Sequence, residues 1–477
     1  MVVSFLVCLA LFVAVGVSSV FKSRGTKQDY YLASSSINPL LVGLSAVATN
    51  NSGYMFIGVI GYTYVAGLSS IWLMFGWILG DYVASIYVHS RLREATQRTG
   101  AVSYAGVLSN WYGGNNTHLA RLIAIISLVF LLAYAGAQLV AGGKALHVLL
   151  GWPSYSGAII GAVLVAVYCL AGGIRASIWT DAAQSVVMIV AMAVLMIVAV
   201  LAQGGVGSVV SSMGEIEGFL SWTPKDVLFP GFFGVVVFAV SWMFAGFSVI
   251  GQPHIMVRFM TLGSNKKMNR ARLWYYLWFI IFYAMAIAVG MLARIYIIDT
   301  GSFDAELALP TMAQELLPPY LAGLMLAGIF AATMSTADSL VLSCSAAITH
   351  DLIPHAIEKT WLIKLATVVI TLIALCWALL NTQSVFNMVI MSWSALASGF
   401  APLLLAQCLG ARPSQRLAVS AVCSGLASAL IWRFLGWQGA LYEGMIGILV
   451  GLLVIYMPTF FQAYFRAIRP DSADKSM

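Results

Sequence analysis

The chain has 477 residues, 61% hydrophobic and 9% charged, with 24 Lys and Arg against 17 Asp and Glu. A soluble domain carries roughly 25% charged residues, so this composition excludes a soluble enzyme or a nucleic-acid-binding module. The net charge of +7 is read as the cationic excess of cytoplasmic loops in a membrane protein.

Apolar runs of about 20 residues, the length that crosses a bilayer as helix, recur along nearly the whole chain. Thirteen spans are predicted, at 2–21, 38–64, 68–90, 118–148, 154–172, 179–202, 229–252, 273–296, 318–348, 360–380, 384–408, 416–434 and 440–464. The first lacks a positive leader and precedes Lys22, Arg24 and Lys27, which reads as an uncleaved span with its N-terminus outside. The second is interrupted by Ala48-Thr49-Asn50-Asn51-Ser52-Gly53. Asp81, in the third, reads as a structural polar contact. In the fourth, Gly136, Ala137, Gly142 and Gly143 are expected to form one close-packing face, and Lys144 to snorkel outward. The sixth opens with Trp179-Thr180-Asp181. The seventh ends in a second interruption, Ala245 to Pro253. The ninth holds Gly328-Ile329-Phe330-Ala331-Ala332-Thr333-Met334-Ser335-Thr336-Ala337-Asp338-Ser339.

Alternate loops separate the charges. One side collects Lys22, Arg24, Lys27, Arg91, Arg93, Arg98, Arg175, Arg258, Lys266, Lys267, Arg270, Arg272, Lys359, Lys364, Arg412, Arg416, Arg466, Arg469 and Lys475. The other carries Glu215, Glu217, Asp226, Asp299, Asp304, Glu306 and Glu315, with Lys225. This places the N-terminus outside and the C-terminus inside. The Asn115-Asn116-Thr117 sequon then falls on the cytoplasmic side and reads as accidental. The six cysteines form no CxxC, which argues against a metal site or disulfide framework. No GxGxxG, Walker, HExxH or GxSxG motif occurs, so the chain reads as no enzyme and as no ATP-driven pump.

Irregular backbone survives inside a bilayer only where it lines a cavity or holds a ligand. Two interrupted spans in matching positions of two halves point to a transporter site at mid-membrane. Leaving out the extra N-terminal helix at 2–21, the segments 38–202 and 229–408 form two five-helix halves. Each half has an odd number of spans, so the second is inverted relative to the first. The segment 416–464 adds two C-terminal helices, and 471–477 is a mobile tail on one transmembrane domain, 1–470. The fold class is therefore an all-α polytopic membrane protein with a 5+5 inverted repeat.

Ala332, Ser335 and Thr336 lie at i, i+3 and i+4, on one helical face. Two hydroxyls and a carbonyl suit a small hard cation such as Na⁺, with freed carbonyls at Ala48 and Asn51 completing the set. The plainer alternative is hydroxyls bonded back to their own helix. Asp181 reads either as a cation-path or gate residue or as a structural partner of a nearby Arg or helix end, and Asp338 has a similar ambiguity. Solute contacts are expected around the breaks, at Ser52, Gly53, Tyr54, Tyr134, Gln138, Ser241, Trp242 and Phe244, and at Ala245 where the second begins. Free N–H groups at a broken helix suit a carboxylate.

The chain resembles the sodium:solute symporter family, over nearly its whole length. Three stretches carry the resemblance: Leu44-Ser45-Ala46-Val47-Ala48 with Ser52-Gly53, Gly251-Gln252-Pro253-His254-Ile255 with Arg258-Phe259-Met260, and Ala332-Thr333-Met334-Ser335-Thr336 with Ser345-Ala346-Ala347-Ile348-Thr349. Trp179-Thr180-Asp181 agrees as well. The pattern is most similar to the sodium/proline branch. The resemblance implies a LeuT-type fold and a bacterial inner-membrane location. It implies Na⁺ ligands at Ala48, Asn51, Ala332, Ser335 and Thr336, and cation coupling at Asp181. It places Ser52, Tyr134 and Pro253 near the solute. Proline carriers have Asp where this chain has Asn50, a small hydroxyl residue where it has Asp338, and aromatic residues where it has Ala245 and Val249. The expected function is Na⁺-coupled symport of a small organic solute, proline or a similar amino acid. The alternatives are a sugar, carboxylate or vitamin carrier, a sodium-independent or proton-driven carrier, and a transporter-like sensor. Na⁺, the solute and membrane lipids are the expected partners, with no obligatory protein partner.

Overall fold

The computed structural model describes the backbone of residues 1–468 apart from 115, 226, 299–300, 354–356, 381–383 and 440, and side chains through 460. Asn115, Asp226, Asp299, the Arg466 side chain, Arg469, Lys475 and the 471–477 tail lie outside the described residues. The helices of the first part are α1 (Val2–Ser18), α2 (Lys27–Leu32), α3 (Pro39–Gly53), α4 (Ile60–Ala66), α5 (Ile71–Thr99), α6 (Tyr104–Ser109), α7 (Thr117–Leu150), α8 (Ser154–Gly172), α9 (Ile174–Ala202) and α10 (Val206–Gly214). Next come α11 (Gly231–Phe247), α12 (Pro253–Met260), α13 (Met268–Tyr296), α14 (Ala308–Leu316) and α15 (Pro319–Ala346). The last four are α16 (Thr360–Leu380), α17 (Val385–Cys408), α18 (Gln415–Phe434) and α19 (Glu443–Ile468). Among the described residues the one β contact is an isolated bridge, Ile37 to Leu262.

Among the described residues, twelve helical stretches are long and apolar enough to cross a membrane. One of them, Pro39–Thr99, has 61 residues. A straight helix of that length would reach about 90 Å, three times the roughly 30 Å hydrocarbon layer. It turns back at Gly67, whose φ of +69° favours glycine and whose missing side chain leaves room for the Phe219 carbonyl. The predicted second and third spans both lie within this stretch.

Burial and polarity rise together toward the centre, as a lipid solvent requires. The most apolar span, Ile174–Ala202, is only 33% buried, whereas Pro319–Leu352 is far less apolar and 83% buried. Its helix, α15, is the hub of the bundle and touches α1, α3, α7, α8, α9, α12, α14 and α16. Helix starts follow local chemistry. Asn38 accepts from the Leu40 N–H before Pro39 at the first turn of α3, and Ser384 caps α17 through the Asn387 N–H.

Several expectations are corrected. α5 runs nine residues past its predicted end, because Leu92, Ala95 and Thr96 continue the buried face beyond the apolar run. α9 begins at Ile174, not 179, directly after Gly173. The small residues of α7 do not share one face: Gly136 meets Trp377 on α16, Gly142 meets α15 and Gly143 meets α8. Three of the cations assigned to loops are buried. Arg93, Arg175 and Arg258 are 1%, 7% and 0% exposed and are held inside the protein. Arg175 pairs with Asp29 at 2.6 Å and also donates to the Ala33 carbonyl at 3.0 Å. That pair braces three consecutive non-glycine residues with positive φ, Ala33 to Ser35.

Candidate ion and solute site

The first interruption is real but narrow. α3 stays helical through the predicted break as far as Ser52, whose φ of +45° and ψ of −177° turn the chain out of helix. A π-helical turn follows at Tyr54–Val59. α7 pins the break from two positions one turn apart. The Tyr134 hydroxyl donates to Ser52 Oγ at 3.2 Å, and the Gly53 N–H donates to Gln138 Oε1 at 2.8 Å. Ser52 Oγ also accepts from the Tyr54 N–H at 3.0 Å. A side chain at Gly53 would come within 2.7 Å of Thr333 Cγ2 and 2.9 Å of Gln138 Oε1. Glycine is therefore needed there for close approach, not for its torsions.

The polar face of α15 lies against the end of α3. Ser335 Oγ donates to the Ala48 carbonyl at 3.3 Å and to the Ala332 carbonyl at 3.0 Å. Thr336 Oγ1 donates to the Thr49 carbonyl at 3.0 Å and to the Ala332 carbonyl at 3.3 Å. The back-bonding alternative is thus present, but both hydroxyls also cross to α3. Ala48, Ala332, Ser335 and Thr336 are brought together as the sequence led us to expect. Asn51 sits one turn on, with Nδ2 donating to the Val47 carbonyl at 2.9 Å and Oδ1 buried without a partner among the described residues. Thr49, whose carbonyl joins the group, was not singled out in the sequence.

Next to these oxygens lies a fully buried cluster of one guanidinium and two carboxyl groups. Arg258 is on α12, a short helix that starts at Pro253 after the extended Gln252. Its guanidinium donates to the His254 carbonyl at 2.7 Å, to Ser177 Oγ at 2.7 Å, to Ser45 Oγ at 3.3 Å and to Ser339 Oγ. Asp181 Oδ2 lies 3.4 Å from it and Asp338 Oδ1 3.9 Å. Asp181 also accepts from Ser45 Oγ at 2.6 Å and Thr49 Oγ1 at 3.4 Å. Thr49 therefore joins the two layers: its carbonyl meets Thr336 and its hydroxyl meets Asp181. The arginine left open for Asp181 is Arg258, which the charge count had put in a loop. Its partner Asp181 lies 77 residues away in sequence, so no local pattern marks the pairing.

The second interruption, Ser248–Gly251, is a 3₁₀ turn held by three side chains. Tyr104 Oη donates to the Ile250 carbonyl at 2.7 Å, Gln252 Nε2 to the Trp393 carbonyl at 2.9 Å, and Ser248 Oγ to the Phe244 carbonyl at 2.7 Å. Burial pushes the Tyr104 hydroxyl well above its ordinary pKa, so it remains a donor. Aromatic rings roof the breaks. Tyr54 lies between Trp77, at 5.7 Å, and Phe386, at 5.3 Å. Trp77 continues to Trp242 and Trp393, and Trp393 reaches Tyr134 and His254. Trp393 Nε1 donates to the Ala245 carbonyl at 3.1 Å. Ser52, Gly53, Tyr54, Tyr134 and Gln138 thus form one group, and Trp242 and Ala245 adjoin it through rings. Ser241 and Pro253 are not brought to it. Ser241 Oγ accepts from the Tyr442 N–H at 2.8 Å, and Pro253 lines a separate cavity with Tyr31, Tyr104, Ile174 and Asp351.

Lys144 does not snorkel freely. Its Nζ pairs with Asp304 at 2.9 Å and Glu306 at 2.7 Å, and Glu306 also accepts the first two N–H groups of α17, from Val385 and Phe386. All six cysteines are free, and no His, Cys, Asp and Glu cluster suited to a metal occurs among the described residues.

The sodium:solute symporter family profile matches residues 30–425. The chain is 30% identical to a high-affinity proline transporter of Bacillus subtilis, over 91% of this chain and 93% of that protein. It is 30% identical to a sodium/proline symporter of Escherichia coli, over 91% and 88% respectively. Among solved structures, an outward-open Na⁺-coupled sialic acid symporter superposes with a TM-score of 0.80 at 18% identity, over 96% of this chain and 97% of that one. A nucleobase-cation-symport-1 family transporter, in a closed conformation, superposes with a TM-score of 0.60 at 14% identity, over 91% and 94%.

Proposed function

The chain belongs to the sodium:solute symporter family, and on that premise we propose how its residues divide the work. It is a multi-pass protein of the bacterial plasma membrane that couples Na⁺ to the movement of a small organic solute. We read thirteen spans, two of them within Pro39–Thr99, as a 5+5 inverted repeat with the N-terminus outside and the C-terminus inside. The remaining loop cations support that orientation once Arg93, Arg175 and Arg258 are set aside.

Na⁺ enters between α3 and α15. The Ala48, Asn51 and Ala332 carbonyls and the Ser335 and Thr336 hydroxyls are its ligands. The observation that carries this reading is the meeting of both α15 hydroxyls with α3 carbonyls at 3.0–3.3 Å. Each hydroxyl now spends its proton on a carbonyl. When the ion arrives, the hydroxyls rotate and present lone pairs, and the carbonyls turn from acceptors of protons into ligands of a cation. An ion held by both helices favours whichever state keeps them apposed, and this differential binding drives alternating access.

The solute sits under the aromatic roof, against Ser52, Gly53, Tyr54, Tyr134, Gln138, Trp242 and Ala245. Proline or a similar small amino acid fits best. The ring that Ala245 lacks is supplied by Trp393, which is anchored on the Ala245 carbonyl. Asp181 and Asp338 serve as the counter-charges of Arg258 and form the inner floor of the ion path. Reconstituted protein should accumulate labelled L-proline under an inward Na⁺ gradient and not when K⁺ replaces Na⁺ at fixed pH. Equal uptake with either ion would reject the reading.

A further inference from the structure

Asn50 has no role in the scheme above, yet it stands on the broken helix beside the ion ligands. Its carboxamide is 4% exposed. Asn50 Nδ2 donates to Tyr275 Oη at 2.6 Å, and the Tyr275 hydroxyl donates to Asp81 Oδ2 at 2.7 Å. Asp81 and Tyr275 are both fully buried. The Tyr275 hydroxyl has a single proton, and the geometry directs it to Asp81 Oδ2. The phenolic oxygen is then left to accept, and only the nitrogen end of the Asn50 amide can donate to it. The order of the chain therefore decides which way round the carboxamide stands. Asn50 Oδ1 is turned away from Tyr275 and is buried with no hydrogen-bond partner among the described residues. Its neighbour Asn51 repeats the arrangement, with Nδ2 tied to the Val47 carbonyl and Oδ1 open. Two adjacent amide oxygens without donors are what a positive charge requires, and a buried acceptor left unmet costs about 1–3 kcal/mol.

We propose that Asp81, acting through Tyr275, is a positioning residue that locks Asn50 Oδ1 as an acceptor for positive charge carried through this site. The charge is that of Na⁺ or of the amino group of the solute. The inference rests on the reading of the ion and solute site given above.

The test uses full-length protein in detergent, with thermal unfolding followed against Na⁺ alone and against L-proline at saturating Na⁺. Asp81→Asn provides an amide nitrogen that donates to the phenolic oxygen, so the phenolic proton swings to Asn50 Oδ1 and the free acceptor is lost. Tyr275→Phe keeps the ring and removes the relay. Each variant should raise a ligand midpoint about three- to tenfold, the worth of one ordinary hydrogen bond; the ligand-free melting temperature should move little in Asp81→Asn and fall in Tyr275→Phe, which leaves the buried Asp81 carboxyl without its hydroxyl donor. A shift in the Na⁺ titration assigns the contact to the ion, and a shift confined to the proline titration assigns it to the solute. Adding Asn50→Asp to Asp81→Asn should restore the midpoint, because the carboxylate now sits at position 50 and takes the phenolic proton directly. If both single variants leave both midpoints unchanged, or lower only the ligand-free melting temperature, the relay is merely structural and the proposal fails. A wild-type protein that responds equally to Na⁺ and K⁺ would instead defeat the ion reading, and this inference with it.

Discussion

Replacing Thr336 by Val tests the ion site most directly, because it removes one oxygen and keeps the branched shape. In the ion-free state Thr336 Oγ1 bonds the Thr49 and Ala332 carbonyls. Losing such a neutral bond costs about 0.5–1.5 kcal/mol, offset in part because the Ala332 carbonyl keeps Ser335 Oγ as a donor. In the ion-bound state the same oxygen faces a full charge, and a bond to a charged group is worth about 1.5–3 kcal/mol. The difference between the two losses, about 1–1.5 kcal/mol, should raise the Na⁺ half-saturation concentration roughly 5- to 15-fold, since 1.4 kcal/mol is a factor of ten. The maximal rate at saturating Na⁺ should be affected much less. Thr336→Ser retains the oxygen and should return most of the affinity. The assay is Na⁺-dependent uptake into proteoliposomes, with labelled L-proline as the probe. An unchanged Na⁺ half-saturation in Thr336→Val, with folding intact, would refute the assignment of this face to the ion.

Gly53→Ala should abolish uptake while leaving membrane insertion intact, because the new carbon meets Thr333 and Gln138 at 2.7 and 2.9 Å; transport near the wild-type rate would show that α3 and α15 are not held this closely. Arg258→Met strands two carboxylates in a fully buried site, and breaking a buried charge network costs about 3–5 kcal/mol. A large fall in melting temperature is expected for Arg258→Met, and Asp181→Asn with Asp338→Asn in the same chain should recover part of it; an unaffected single variant would mean the cluster is hydrated. Glu306→Gln removes the charge shared by Lys144 and the start of α17 and should lower stability by about 1–2 kcal/mol, read by thermal unfolding. Burial alone would raise the Asp29 carboxyl, but the Arg24 N–H, Ser34 and Arg175 outweigh it and hold the pKa below 3.8. A depressed folded-state pKa gives stability that is present above the unfolded value and lost as pH falls through the folded one. The melting temperature should therefore drop below about pH 4, and Asp29→Asn should flatten that limb.

The sequence disclosed the spans well because lipid punishes any gap in an apolar run. The fifth and tenth predicted spans coincide with α8 and α16 to the residue. It disclosed the polar face that α15 turns to α3, because residues at i, i+3 and i+4 share a side of a helix whatever surrounds them. It misplaced Arg258 for a physical reason: charge counting assumes every guanidinium seeks water, and this one is satisfied by Asp181 and Asp338 from two other helices. The Asn50–Tyr275–Asp81 chain was invisible for the same reason, since its three members lie on α3, α13 and α5 and meet only in the folded bundle. The place of Ser241 was not legible because its oxygen accepts from the Tyr442 N–H, ahead of α19, a partner 201 residues away.

Glu306 accepts from an ammonium on α7 and from two backbone amides of α17 with one carboxylate. Withdrawing that carboxylate leaves both amides without their side-chain acceptor together, while Lys144 keeps only Asp304. One carboxylate thus ties α7 to the start of α17, so a displacement of either helix at this end should be felt by the other.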